Sequence, residues 1–142
     1  MNTIEQLLAL KDGEIYSIAP SATVYEALRL MAEKEIGALL VLEGDELVGI
    51  MSERDYARKV LLKGKTSREA TVEEIMTRQV ISAKPSDTIE ECMGIMTRKR
   101  IRHLPIQDDE GLQGIVSIGD LVKAIISEQQ STIEQLEHYI RG

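Results

Sequence analysis

A mixed α/β fold (α+β, with mixed sheets) built as two similar halves is what this 142-residue sequence predicts, on three observations. The stretch PSATVYEALRLMAEKEIGALLVLEGDELVGIMSERD from Pro20 aligns without a gap, at an offset of 65, with PSDTIEECMGIMTRKRIRHLPIQDDEGLQGIVSIGD from Pro85. Identities keep register along the whole stretch, among them Pro20/Pro85, Thr23/Thr88, Met31/Met96, Gly49/Gly114, Ser52/Ser117 and Asp55/Asp120. Within each copy, apolar residues at helical spacing alternate with short apolar runs of strand length. Each copy alone is small for a stable core, so two β-α-β-β-α repeats are expected to pack sheet against sheet about a pseudo-twofold axis.

The elements follow in order. Residues 1–11 form an N-terminal segment, and the first repeat spans 12–63. Short runs at Ile15–Ile18 and Val80–Ser82 supply the leading strands. Thr23 and Thr88 stand where helix N-caps belong, with Glu26 and Glu91 three residues on as capping boxes. Val24, Ala27, Leu28 and Met31, matched by Ile89, Cys92, Met93 and Met96, then give about three helical turns. ALLVLEGDELVGIM and HLPIQDDEGLQGIV are apolar runs split by Gly/Asp/Glu turns, the pattern of a β-hairpin. After each Ser, RDYARKVLLKG and GDLVKAIISEQ return to helical period. Residues 64–78 link the copies, 79–127 form the second repeat, and 128–142 form a C-terminal helix with Ile133, Leu136 and Ile140 on one stripe. That stripe reads as a partner-facing or dimer-packing surface, or as a helix docked on its own core.

Composition removes several function classes. The formal charge is −7 and the pI about 4.9, which disfavours a polyanion-binding surface, since phosphate contacts to nucleic acid need clustered Lys and Arg. The one cysteine, Cys92, has no disulfide partner, and no Cys/His cluster has zinc spacing. No metal is expected. A reducing cytoplasm fits, and no apolar run approaches the roughly 20 residues that span a bilayer. With no Trp or Phe and four Tyr, a ligand base would sit between aliphatic side chains.

The candidate chemistry lies in GIMSERD (49–55) and GIVSIGD (114–120), a repeated Gly-apolar-x-Ser-x-x-Asp. A carboxylate at a helix start can accept both hydroxyl hydrogens of a ribose. The Ser three residues earlier can bond a phosphate or cap the helix, and the Gly lets backbone approach a ligand. Ser and Asp before a helix are also ordinary caps; duplication at the same strand-to-helix junction favours binding.

These residues resemble tandem cystathionine-β-synthase (CBS) domains, the regulatory pair called a Bateman module. The likeness covers residues 12–127, through VYEALRLMAEKEIGALLV, GIMSERD, VEEIMTRQVISAKPSDTIEECMGIM, RIRHLPI and GIVSIGD. SERDYARKV, RIRHLPI, GIVSIGDLVKAII and LEHYIRG are similar to stand-alone CBS pairs that carry no enzyme or channel. The resemblance implies a non-enzymatic regulatory module that senses an adenine nucleotide, commonly AMP, or ADP, ATP, NAD or S-adenosylmethionine, and acts through a homodimer or a protein partner. It also implies clefts that join the motif of one repeat to the leading strand and helix-to-strand loop of the other. The main cleft would use Ile50, Ser52, Arg54 and Asp55 with Ile81, Arg102 and His103; the second, Ile115, Ser117 and Asp120 with Ile18, Gly37 and Ala38. Arg54, Arg102 and His103 offer a phosphate charge-assisted bonds that Gly119, Gly37 and Ala38 do not, so the Asp55 cleft is expected to dominate. A Lys from outside the motif would alter that ranking. The alternative function is a constitutive dimerisation scaffold with vestigial clefts.

Other features have plainer readings. His103 lacks a carboxylate or nucleophile at informative spacing and reads as a structural or ligand-contacting residue. Arg98, Lys99, Arg100 and Arg102 suit a solvated helix end. The methionines read as core, with Met76 also a candidate to flank an adenine, and Cys92 as a buried, inert thiol.

Overall fold

The computed structural model describes residues 2–11 and 14–141; the expected start of the first repeat, Asp12, lies outside the described residues. Two compact units are present, and their division differs from the expected one. Ile15–Ile81 form the first unit, and residues up to Glu14 join Ser82 onward in the second.

In the first unit β1 (Ser17–Ile18) runs parallel to β2 (Ala38–Glu43), which pairs antiparallel with β3 (Glu46–Ser52). Between β1 and β2 lies α2 (Val24–Lys34), capped by the Thr23 hydroxyl, which accepts from Glu26 N at 3.1 Å. After β3 come α3 (Glu53–Tyr56), a π-helical turn over Ala57–Leu61 and α4 (Val72–Ile75). The core is aliphatic and thioether, with Val24, Met31, Leu39, Val41, Met51, Val60, Val72 and Ile75 buried.

The second unit repeats this plan with α5 (Ile89–Lys99), whose Thr88 cap accepts from Glu91 N at 3.0 Å, and an antiparallel pair, β4 (His103–Asp108) and β5 (Gly111–Ser117). The repeat extends to details. Both hairpins shift register at equivalent points, Val41/Leu42 and Ile106/Gln107. Both α2 and α5 end on a left-handed residue with φ 55°, Glu35 and Arg100. Arg98 and Lys99 occupy the last turn of α5, where cations suit the helix dipole.

Three expectations need correction. The leading strand at Val80–Ser82 does not form; one parallel bridge, Ala83 to Ile106, replaces it. Ala83 N donates to the Pro105 carbonyl, and Gln107 N to the Ala83 carbonyl. The next bridge would need an N–H at Pro105, where proline has none; in the first unit the equivalent place is Leu40, and the bridge to Ser17 forms.

The linker and the N-terminal segment are also built into the units. Helix α1 (Ile4–Leu10) sits in the second unit, where Ile4 N donates to Asp87 O and Ile89 N to Asn2 O, both at 2.9 Å. Helix α4, inside the supposed linker, sits in the first unit by the same contacts: Val72 N to Ala22 O and Val24 N to Ala70 O, both 2.9 Å. Bridges Thr3–Thr88 and Thr23–Thr71 complete the parallel. Each repeat is closed by a helix that precedes the other repeat in the chain.

Finally, the tail does not begin a separate helix at 128. α6 runs unbroken from Ile118 to Arg141. Ile133 and Leu136 are more than half exposed, so the tail is not docked on its own core. Cys92 is wholly buried; desolvation, with the charges of Asp87 and Glu91 adding to it, pushes its thiol up to about 11 and keeps it protonated and inert.

Candidate functional site

Each motif lies where a strand runs directly into a helix. β3 ends at Ser52 and α3 starts at Glu53; β5 ends at Ser117 and α6 starts at Ile118. The first turns are closed reciprocally. Asp55 N donates to Ser52 Oγ (3.2 Å) while Ser52 N donates to Asp55 Oδ2 (2.9 Å). In the second repeat Asp120 N donates to Ser117 Oγ (3.1 Å) and Ser117 N to Asp120 Oδ2 (2.8 Å). Both residues of each motif therefore serve as caps. A carboxylate has about four acceptor positions, so capping does not exhaust it.

The strand partner of each motif is equally regular. Ala38 faces Ser52 across the hairpin, and Glu53 N donates to the Gly37 carbonyl at 3.1 Å. His103 faces Ser117, and Ile118 N donates to the Arg102 carbonyl at 2.8 Å. Sequence reasoning assigned Arg102 and His103 to the Asp55 motif and Gly37 and Ala38 to the Asp120 motif. Within each unit, Gly37 and Ala38 lie beside Ser52, and Arg102 and His103 beside Ser117. Ile50 pairs with Leu40, and Ile115 with Pro105. Ile18 pairs with Val41 on β1, Ile81 lies outside any strand, and Arg54 is exposed on the first turn of α3.

Two lysines outside the motif complete the electrostatics, and sequence reasoning missed both. Lys59 lies 3.1 Å from Asp55 Oδ1 and donates to the Ile75 carbonyl at 2.8 Å. As the i+4 neighbour of Asp55 on a helical segment, it was legible in principle. Lys11 lies 2.8 Å from Asp120 Oδ2 and 2.8 Å from the Ile115 carbonyl. No local pattern announces that contact, because 109 residues separate the partners.

Burial pushes the Asp120 carboxyl up, but the hydrogen bonds and charge of Lys11 and the Ser117 donors outweigh it and hold the group below its ordinary value. Such a carboxylate stabilises the native state above its unfolded pKa of about 4, and the contribution is lost as pH falls through the lowered native value. Wild type should therefore exceed Asp120→Asn in stability at pH 7. In urea titrations the difference should shrink steadily below about pH 4; a gap that stays constant down to pH 2 would contradict the pairing.

The motif glycines do something other than expected. A Cβ on Gly49 would lie 2.5 Å from Met76 Sδ and 3.0 Å from the Thr77 carbonyl; one on Gly114 would lie 3.0 Å from Leu8 Cδ2. The close approach is made by the chain's own segments, α4 with its exit and α1, not left open for a ligand. Met76, only 6% exposed, is core rather than a wall for an adenine. An open groove of about 310 Å³ adjoins Gly37 and Glu53, walled by Leu28, Met31 and Ile36 and edged by Glu35. Its two carboxylates make it unsuited to phosphate.

Against known proteins, the CBS domain family matches residues 10–62 and 72–127, one match per repeat. The chain belongs to the CBS domain family. As a CBS pair it is 38% identical over 136 residues to the mitochondrial CBS domain-containing protein CBSX3 of Arabidopsis thaliana, a match covering 92% of this chain and 66% of the plant protein. It is 31% identical over 127 residues to the CBS domain-containing protein YhcV of Bacillus subtilis (strain 168), covering 88% and 90% of the two chains. Among solved structures, a CBS-domain protein of Burkholderia ambifaria MC40-6 superposes with a TM-score of 0.87 at 50% identity, covering 89% of this chain and 96% of the other. The chain thus spans about two thirds of the plant relative's length and nearly all of the two bacterial ones. Among the described residues, no helix is long and apolar enough to cross a membrane, and no three His, Cys, Asp or Glu side chains gather as metal ligands do.

Proposed function

We propose that this CBS pair is a non-catalytic regulatory module that binds an adenine nucleotide, AMP or one of ADP, ATP, NAD and S-adenosylmethionine. The ribose hydroxyls are taken by the motif carboxylates, and the signal is passed to a protein partner or a second subunit. The observation that carries this reading is the set around Asp120: a carboxylate held ionised by Lys11, with the exposed Arg102 and with His103 opposite Ser117. A scaffold has no need to collect cations at a strand-to-helix junction, whereas a nucleotide needs a carboxylate for its sugar and cations for its phosphate. On this reading the Asp120 set ranks first, whereas sequence put the Asp55 set first, because Arg102 and His103 adjoin the Ser117 junction in the same unit. The Ser52, Arg54 and Asp55 set, with Lys59, ranks second. The plant relative's mitochondrial description leaves the compartment of this protein between cytosol and organelle.

The scaffold reading has one observation in its favour: the capping boxes account for Ser and Asp without any ligand. Asparagine separates the two, since its amide oxygen still accepts from Ser117 N while its charge is gone. Calorimetry with AMP, ADP, ATP, NAD and S-adenosylmethionine should give saturable binding of at least one to wild type. Asp120→Asn and Arg102→Ala should each weaken it about tenfold or more, as loss of a charge-assisted bond implies. No binding of any of the five leaves the scaffold; binding indifferent to both substitutions overturns the Asp120 set as the site.

A further inference from the structure

From Val122 to Ile140, α6 carries an apolar seam whose exposure rises toward the end of the helix. Val122, Ile126, Ile133, Leu136 and Ile140 are 39, 51, 54, 57 and 81% exposed. Their spacing, with Gln129 between, is a strict heptad alternation in which Ile126, Ile133 and Ile140 take one core position and Val122, Gln129 and Leu136 the other. A seam of two core positions per heptad is the narrow stripe of a helix that packs on a single other helix, narrower than the face of a helix laid on a domain core.

We infer that this seam pairs with the α6 seam of a second copy of the chain, antiparallel, with Val122 against Ile140, Ile126 against Leu136 and Gln129 against Ile133. Charge decides both occupant and direction. In that register the flanking positions bring Lys123 beside Glu137 of the second copy, twice by symmetry, and set Gln130 and Thr132 against their own counterparts and Ile125 against Tyr139. Tyr139 is otherwise 84% exposed. The parallel arrangement would place Thr132 beside Glu137 and Ile125 beside Gln130, with no cation facing an anion. The two Gln129 side chains fall four residues apart, about 6 Å along the axis, near enough for their amides to meet and hold the register. The pairing is separate from nucleotide binding, so either can fail without the other.

Sedimentation equilibrium of the full chain should show a reversible dimer, with Ile133→Glu at least tenfold weaker in association. Lys123→Glu and Glu137→Lys should each weaken it several-fold, while an equimolar mixture of these two variants should regain wild-type affinity, because each then faces its opposite. A second measurement is independent of charge: oxidation should join an Ile126→Cys copy to a Leu136→Cys copy and leave Ile126→Cys alone unlinked, with buried Cys92 silent. A monomer at several hundred micromolar, a dimer indifferent to Ile133→Glu, no recovery on mixing, or efficient self-linking of Ile126→Cys would each overturn the inference.

Discussion

Ile4→Ala is expected to destabilise the protein by about 2–5 kcal/mol, the range for truncating a buried large aliphatic side chain, although the residue stands almost at the start of the chain. Ile4 is fully buried, and its N–H is bonded to Asp87 at 2.9 Å. Terminal residues ordinarily tolerate change unless tied down, and here α1 is tied down. Leu10→Ala, in the same helix but 71% exposed, should stay within about 0.5 kcal/mol. Urea unfolding of the two variants beside wild type gives the comparison directly. Near-equal small effects would mean that α1 does not dock in solution as it does here.

The second large effect is expected at Gly49. Its missing Cβ is replaced by contact with Met76 Sδ and the Thr77 carbonyl oxygen. The thioether can swing aside, but the carbonyl's segment is held by reciprocal bonds, Ile50 N to Thr77 O at 3.0 Å and Thr77 N to Ile50 O at 2.9 Å. Overpacking against fixed backbone costs about 1–3 kcal/mol, so Gly49→Ala should lower the unfolding free energy measured in urea by that much. Met76→Ala, itself costly in the core, should cost less in the Gly49→Ala background than alone, because it removes the Sδ clash. Gly119→Ala is the control: its Cβ would meet nothing closer than Ser117 Oγ at 3.6 Å, and within a helix alanine is favoured by up to about 1 kcal/mol. Equal costs at both glycines would remove the packing explanation.

What the sequence made legible was local or repeated. The Thr23 and Thr88 caps, the hairpins and the strand-to-helix junctions of both motifs all lie where periodicity and turn residues put them. What it hid depended on contacts between distant segments. TIEQLL at Thr3 and TVEEIM at Thr71 are themselves a repeat, but their offset is 68 rather than 65, so a gap-free alignment from Pro20 stops short of them. Their exchange between units leaves no local trace. The same holds at the site: Asp55 and Asp120 are marked by their motif, and Lys59 by helical spacing, whereas Lys11 reaches Asp120 only because α1 belongs to the second unit. Pro105 was visible throughout, yet its effect on the leading strand follows only once the hydrogen-bond register is known.

The exchange of α1 also sets an order of events during synthesis. Residues Ile15–Ile81 are contiguous and can close their unit as soon as they emerge, whereas α1 finds its first backbone partners at Pro85 and Asp87 and its lysine finds Asp120. At typical elongation rates of about 5–20 residues per second, the segment carrying Lys11 waits roughly 5–20 s for that carboxylate to be made. Throughout the wait Ile4 and Leu7 have no core to enter, so the nascent chain carries an exposed apolar segment, too short to hold a helix by itself, beside a finished unit. A slow late phase of protease protection at α1, trailing that of α2, is the kinetic signature this topology imposes.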